Sequence, residues 1–214
     1  MRSSRRAFHA LLVEGTSGVG KSTVIDALIR RHVDGAVPRK IRSLTHLAQT
    51  HTYGPLAPAE DCGTLTVAQN CVHLERIVAT LEWLHDAHEH SPVPSFAIVD
   101  TLHLTHCLRP GIVAWPDVEP YDRRLAAIGC KLLLLTAERE TLRARSIEAR
   151  IGQQFLEEYA RKFGRTNDEI LDHFVAEQRK FTTLSGCSAM QTLTLDAGVP
   201  SGNASARAYA FWHS

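Results

Sequence analysis

Gly15-Thr16-Ser17-Gly18-Val19-Gly20-Lys21-Ser22, preceded by Glu14 and followed by Thr23, has the spacing Gly-x-x-x-x-Gly-Lys-Ser. The apolar run Phe8 to Glu14 leads straight into it, and Val24, Ile25, Leu28 and Ile29 come after it at helical spacing. A strand, a glycine-rich turn and a helix start gather unpaired backbone N–H groups round one point, where the helix terminus adds partial positive charge. Polyphosphate fits such a cradle. Lys21 would reach the β and γ phosphates, and the Ser22 hydroxyl would ligate the Mg²⁺ that bridges them. ATP with Mg²⁺ is therefore the expected ligand of Gly15, Thr16, Ser17, Gly18, Val19, Gly20, Lys21, Ser22 and Thr23.

Working outward, 214 residues with 44% hydrophobic content can bury a proper core and suit one α/β domain, 1–214. Lys and Arg number 24 against 23 for Asp and Glu, so no net field favours a nucleic acid polymer or an acidic membrane, and the expected partner is a small molecule. Five cysteines, at 62, 71, 107, 130 and 187, form no Cys-x-x-Cys pair and read as reduced, mostly buried thiols. The basic start Met1 to Arg6 imitates a secretory leader, but its apolar stretch runs into the phosphate loop. No run approaches the roughly 18 apolar residues of a membrane span. The expectation is a cytoplasmic protein.

The remaining elements alternate. The pattern predicts a weak second strand over Val37 to Leu44, a long loop over 50–65 and an amphipathic helix from Thr66 to His90. Phe96 to Asp100 reads as a buried parallel strand ending in a carboxylate, Val118 to Ile128 as a helix, and Lys131 to Thr136 as the next buried strand. Glu138 to Arg150 is a charged helix, Gly152 to Gly164 a mobile cover, Asn167 to Leu184 a helix, Thr192 to Asp196 a fifth strand, and Ala204 to Trp212 a closing helix. Such alternation implies a parallel sheet covered on both faces, with ligands beyond the carboxyl ends of its strands. The long helix also offers a face for an isologous homodimer.

The loop alone does not say which reaction nucleotide binding serves. No Asn-Lys-x-Asp or Asp-x-x-Gly guanine-switch pattern occurs, and Asp100 is succeeded by Thr101 instead of a water-polarising Glu. Transfer to a bound acceptor is thus favoured over hydrolysis. A kinase needs cations on the moving phosphoryl group, and Arg143, Arg145 and Arg150 lie beyond the fourth strand on a segment that would close as a lid, about 143–165. Asp100 would hold the metal or accept a proton from the acceptor, and Glu14 is a second candidate base. Tyr53 and His103 are candidates for the acceptor pocket. The pairs His85/His88 and His103/His106 lack partners at metal-ligand spacing, and Trp83, Trp115 and Trp212 read as core or interface residues.

The order strand, Glu14 to Thr23, long helix with Glu75-Arg76, strand ending at Asp100, then Leu142-Arg143-Ala144-Arg145 and Arg150, resembles the thymidylate kinase and deoxynucleoside kinase group over nearly the whole chain. The resemblance implies a P-loop NTPase three-layer sandwich with a five-stranded parallel sheet in the order 2-3-1-4-5 and a lid over ATP. It implies phosphoryl transfer to a nucleoside monophosphate, with Arg76 on the acceptor, Arg143 beside the donor, and Lys21, Asp100, Arg145 and Arg150 at the reaction. In that group an arginine usually succeeds the strand-three acid and clamps the acceptor. Here Thr101 stands there, and threonine cannot supply a bidentate phosphate clamp. Either Arg109 or Arg39 substitutes from another direction, or the acceptor is a nucleoside or another hydroxyl compound such as an antibiotic. Outside enzymes, the alternative is a nucleotide-binding regulatory module.

Overall fold

In the computed structural model the described residues are 8–35, 43–89, 91, 93–109, 111–150, 154–198 and 201–214. Strand β1 (Phe8–Glu14) is the middle of a parallel sheet, flanked by β3 (Ser95–Asp100) and β4 (Lys131–Thr136); β2 (Ser43–Leu47) and β5 (Gln191–Asp196) lie outside them. The order β2-β3-β1-β4-β5 is that of a P-loop NTPase α/β sandwich. Val13 pairs with Asp100 and Glu14 with Leu134, so phosphate loop, strand-three acid and the end of β4 meet at one edge.

The sheet is covered on both faces because its apolar strands alternate between two cores. On one face Ala10, Leu12, Val99 and Leu134 pack against Leu74, Val78 and Leu81 of α4 (Val67–His88) and Leu125 of α6 (Trp115–Ala127). On the other, Leu11, Val13, Ile98 and Leu133 pack against Ile25 and Leu28 of α1 (Lys21–Asp34) and Trp212 of α10 (Ser201–His213). The apolar stripe predicted on the long helix is therefore spent inside the molecule. Thr66 starts α4 with a capping box, its hydroxyl accepting from Gln69 N at 3.2 Å while Gln69 Oε1 accepts from Thr66 N at 2.8 Å. Arg124 of α6 ties to it by paired bonds to Glu75 and Glu82.

Several boundaries differ from expectation. The second strand begins at Ser43, and the earlier part of the predicted span, Arg39 included, lies outside the described residues. The loop predicted over 50–65 holds two short helices, α2 (Gln49–Thr52) and α3 (Ala57–Asp61), the latter started by a proline in its first turn. A six-residue helix α5 (His103–Leu108) comes after β3. The charged helix stops early: α7 (Arg139–Ser146) gives way to a 3-10 turn at Glu148–Arg150, and α8 (Gln154–Lys162) packs on α9 (Asn167–Ser185) through Tyr159, Ile170 and Phe174. Only Cys130 of the five cysteines is buried, and all are unbridged. Trp212 is a core residue, whereas Trp83 is 66% exposed. Among the described residues no helix is long and apolar enough to cross a membrane.

Candidate active site

The phosphate loop is wedged between β4 and α7, and two glycines permit it. A Cβ on Gly15 would lie 2.6 Å from the Leu135 carbonyl, and one on Gly18 would lie 1.9 Å from Ser146 Oγ. Both take positive φ, 145° and 75°, which other residues rarely adopt. Ser146 holds the turn from outside, its hydroxyl donating to the Ser17 carbonyl at 3.0 Å. Lys21 folds back over the loop, Nζ donating to the carbonyls of Gly15 at 2.7 Å and Thr16 at 3.2 Å. Burial and the neighbouring Arg109 lower its pKa to about 8, with Asp100 pulling the other way. In front lies a cavity of about 680 Å³ lined by Gly18, Gly20, Lys21, Ser22, Thr23 and Arg145. Thr16 and Val19 are fully buried and do not line it.

The two carboxylates beside the loop have opposite fates. Glu14 is fully buried, and its Oε1 accepts from Leu102 N at 2.8 Å and Leu104 N at 3.2 Å, while Oε2 accepts from Thr105 Oγ1 at 2.6 Å. It caps the start of α5 and lines neither the cavity in front of the loop nor the second cavity described below. Asp100 is left free by this arrangement. It is 8% exposed, its Oδ1 has no hydrogen-bond partner among the described residues, and burial raises its pKa against the pull of Lys21. An orphaned buried carboxylate oxygen near Lys21, with Ser22 at the mouth of α1, fits a hard divalent ion such as Mg²⁺.

Thr101 turns the chain away at φ 60°, with its hydroxyl donating to the Asp100 carbonyl at 2.6 Å. It is 1% exposed, packed beside Thr52.

A second cavity, of about 640 Å³, is lined by Tyr53, Glu60, Arg109, Arg150, Tyr159 and Glu177, among others. Ser17, Gln49, Arg109 and Arg150 line both cavities, so the two meet at a pair of guanidinium groups. Arg109 sits at the end of α5 with Nε 3.4 Å from Glu177 Oε1. The buried Glu177 also accepts from the Thr16 hydroxyl, tying α9 to the phosphate loop. Arg150 donates to the Tyr159 hydroxyl and lies 5.4 Å from that ring, and Tyr159 Oη is 2.5 Å from Ser17 Oγ. Lys162 of α8 pairs with Asp61 of α3 at the rim.

The floor of this cavity rests on histidines. The Thr52 carbonyl accepts from His73 Nε2 at 2.8 Å and His106 Nε2 at 2.9 Å, fixing the helix that presents Gln49 and Tyr53. Burial drives the His106 pKa down to about 4, so the ring is neutral.

Other sequence candidates lie elsewhere. Arg76 is exposed on α4 and lines a separate groove of about 440 Å³ with Leu65 and Val72, outside both cavities described above. Arg143 pairs with Asp168 at 2.6 Å and lines neither cavity, two residues and so more than half a turn from Arg145. Arg145 enters the cavity in front of the phosphate loop and not the second one, its guanidinium donating to the carbonyls of Val19 at 3.1 Å and Ala197 at 3.0 Å. His103 is buried against Asp122 at 2.9 Å and lines neither cavity. Among the described residues no three His, Cys, Asp or Glu side chains cluster as for a metal centre. Gln49, Tyr159 and Glu177 line the site without any local motif that marks them in the sequence.

No family model matches the chain, and neither does any curated protein sequence. Among solved structures, the YorR protein of Bacillus subtilis in complex with phosphorylated GDP superposes with a TM-score of 0.56 at 15% identity, over 94% of each chain. The likeness establishes a shared fold that runs through nearly the whole length of both proteins.

Proposed function

We propose that this chain is a phosphotransferase of one domain that moves the terminal phosphoryl group of ATP, held at the phosphate loop, to a nucleoside monophosphate in the second cavity. The observation that carries the reading is the meeting of two cavities of similar size, about 680 and 640 Å³, at Arg109 and Arg150. A hydrolase needs one nucleotide cavity and a positioned water; a transferase needs two facing cavities with cations where they join. Lys21 would hold the β and γ phosphates, Arg109 and Arg150 would neutralise charge on the group in transit, and Arg145 would flank the donor's base. Ser22 and Asp100 would hold Mg²⁺, which supplies charge neutralisation on the donor phosphates.

A phosphate oxygen is already ionised near neutral pH, so a monophosphate acceptor asks for orientation and water exclusion instead of a general base. This agrees with Glu14 being spent on α5. Arg109 would take the place of the arginine that Thr101 displaces. The same Thr101 is what favours the second reading, a nucleoside or antibiotic hydroxyl as acceptor, in which Asp100 would accept the proton. Magnesium-dependent ATP consumption is the test, measured with nucleoside monophosphates, nucleosides and hydroxylated antibiotics in parallel. Acceleration by monophosphates carries the proposal. Acceleration by hydroxyl compounds alone moves it to the second reading, and acceleration by none returns the protein to a nucleotide-binding module.

A further inference from the structure

Four carboxylates, Glu60, Asp61, Glu158 and Glu177, line the second cavity against three cations, Arg109, Arg150 and Lys162. Arg109 is held by Glu177, Lys162 by Asp61, and Arg150 by the Tyr159 hydroxyl. Two carboxylates that line the same cavity, Glu60 on α3 and Glu158 on α8, have side chains with no hydrogen bond or ion pair among the described residues. Glu60 is the more informative, being only partly exposed, with burial raising its pKa against the pull of Lys162 and Arg109. Withdrawing a carboxylate from water without a donor is costly, and a ligand that brings N–H groups offsets that cost. Tyr53, Tyr159 and Phe163 line the same cavity, the Phe163 ring stacked on His173 at 4.2 Å, so its wall is partly aromatic.

From this, and resting on the reading of the second cavity as the acceptor site, we infer that Glu60 selects an acceptor base carrying an exocyclic amino group. Two carboxylate oxygens match two adjacent N–H donors, so a guanine edge with its ring N–H and amino group is the best fit. Cytosine and adenine offer the amino group alone. Thymine and uracil place carbonyl oxygens on both sides of their single ring N–H, and a carboxylate facing those oxygens is repelled. The thymidylate-type acceptor that the sequence resemblance implies is thereby disfavoured by this cavity.

The experiment compares GMP, dCMP, AMP, dTMP and dUMP as acceptors for wild-type protein and Glu60→Gln, with calorimetric binding of guanosine and thymidine measured beside turnover. Wild type is expected to prefer the amino-bearing set in kcat/KM. Glu60→Gln should lose about ten- to a hundredfold on that set alone, as expected for one charged hydrogen bond, and little on dTMP. A preference for dTMP, or an equal loss on every acceptor, would overturn the inference while leaving phosphoryl transfer intact. Guanosine binding that exceeds thymidine binding and depends on Glu60, without turnover of any acceptor, would support the selectivity and sink the kinase reading instead.

Discussion

The two cavities are almost equal in volume, yet they are built in opposite ways. The cavity at the phosphate loop takes much of its lining from one continuous stretch, Ser17 to Val24, to which Gln49, Arg109, Arg145, Arg150, Ala197, Gly198 and Ala204 are added from elsewhere in the chain. The second cavity is assembled mainly from α2, α3, α5, α8 and α9, with lining residues drawn from as far apart as Ser17 and Glu177. A cradle of backbone amides is specified by where glycines fall. A pocket of side chains is specified by how remote helices pack. Arg109 and Arg150, shared by both cavities, are where the two modes of construction have to agree.

Removing the Lys21 ammonium is the largest blow the donor side can take. Lys21→Ala should lower turnover on the order of a thousandfold, the scale of losing one preorganised charge at a reacting phosphate, while acceptor binding stays within about twofold. Single-turnover kinetics with equilibrium acceptor binding would check both halves. Equal loss of acceptor affinity would show that the cavities are not separable.

The paired variants Arg109→Ala and Arg145→Ala sharpen the contrast. Arg109 lines both cavities, so its loss should reduce kcat about a hundredfold and raise the acceptor KM as well. Arg145 lines the donor cavity alone, so its loss should raise the KM for ATP about tenfold and leave the acceptor KM unchanged. Steady-state kinetics with each substrate varied in turn separates these outcomes; identical profiles would remove Arg109 from the junction.

The same contrast explains what can be read from the chain alone. The alternation of strands and helices and the phosphate loop are legible, because apolar runs between helical repeats and two glycines with Lys21 are local signals; the strand order 2-3-1-4-5 is implied by the resemblance and not by any local pattern. Glu14 and Asp100 each end a strand beside the loop and look alike in sequence. Only the approach of α5 decides that Glu14 is consumed by backbone amides and that Asp100 keeps a free oxygen. Arg76 is the expected acceptor contact by its position on the long helix, but it is exposed and lines a separate groove. Glu177 is buried by contacts 161 residues away in the chain, at Thr16, a separation no local pattern reports.

Protonation offers a gentler probe of the donor side. Lys21 has a pKa near 8 when its ammonium faces only protein, and a bound triphosphate would raise it. Nucleotide binding should therefore take up a proton above about pH 8, with affinity falling up to about tenfold per pH unit as the free side chain loses its charge. Calorimetry in two buffers of different ionisation enthalpy measures the uptake directly. Lys21→Arg, which stays charged, should abolish it; uptake that persists in that variant would assign the proton to another group.

On the acceptor side the corresponding titration is a matter of stability, because His106 supports the Thr52 carbonyl beneath Gln49 and Tyr53. Its folded pKa near 4 lies below the ordinary value of 6.5, so the unfolded chain binds the extra proton first as pH falls. Stability is full above about pH 6.5 and declines toward about pH 4, by about 3 kcal/mol in all for a shift of this size. Urea unfolding across that range should show the decline in wild type and a flatter profile in His106→Gln, whose amide keeps a donor for Thr52 but does not titrate. A wild-type profile that does not fall over this window would mean that the ring meets water or an acid in the folded state. The histidine floor would then be looser than the packing against Asn70 and Thr52 implies.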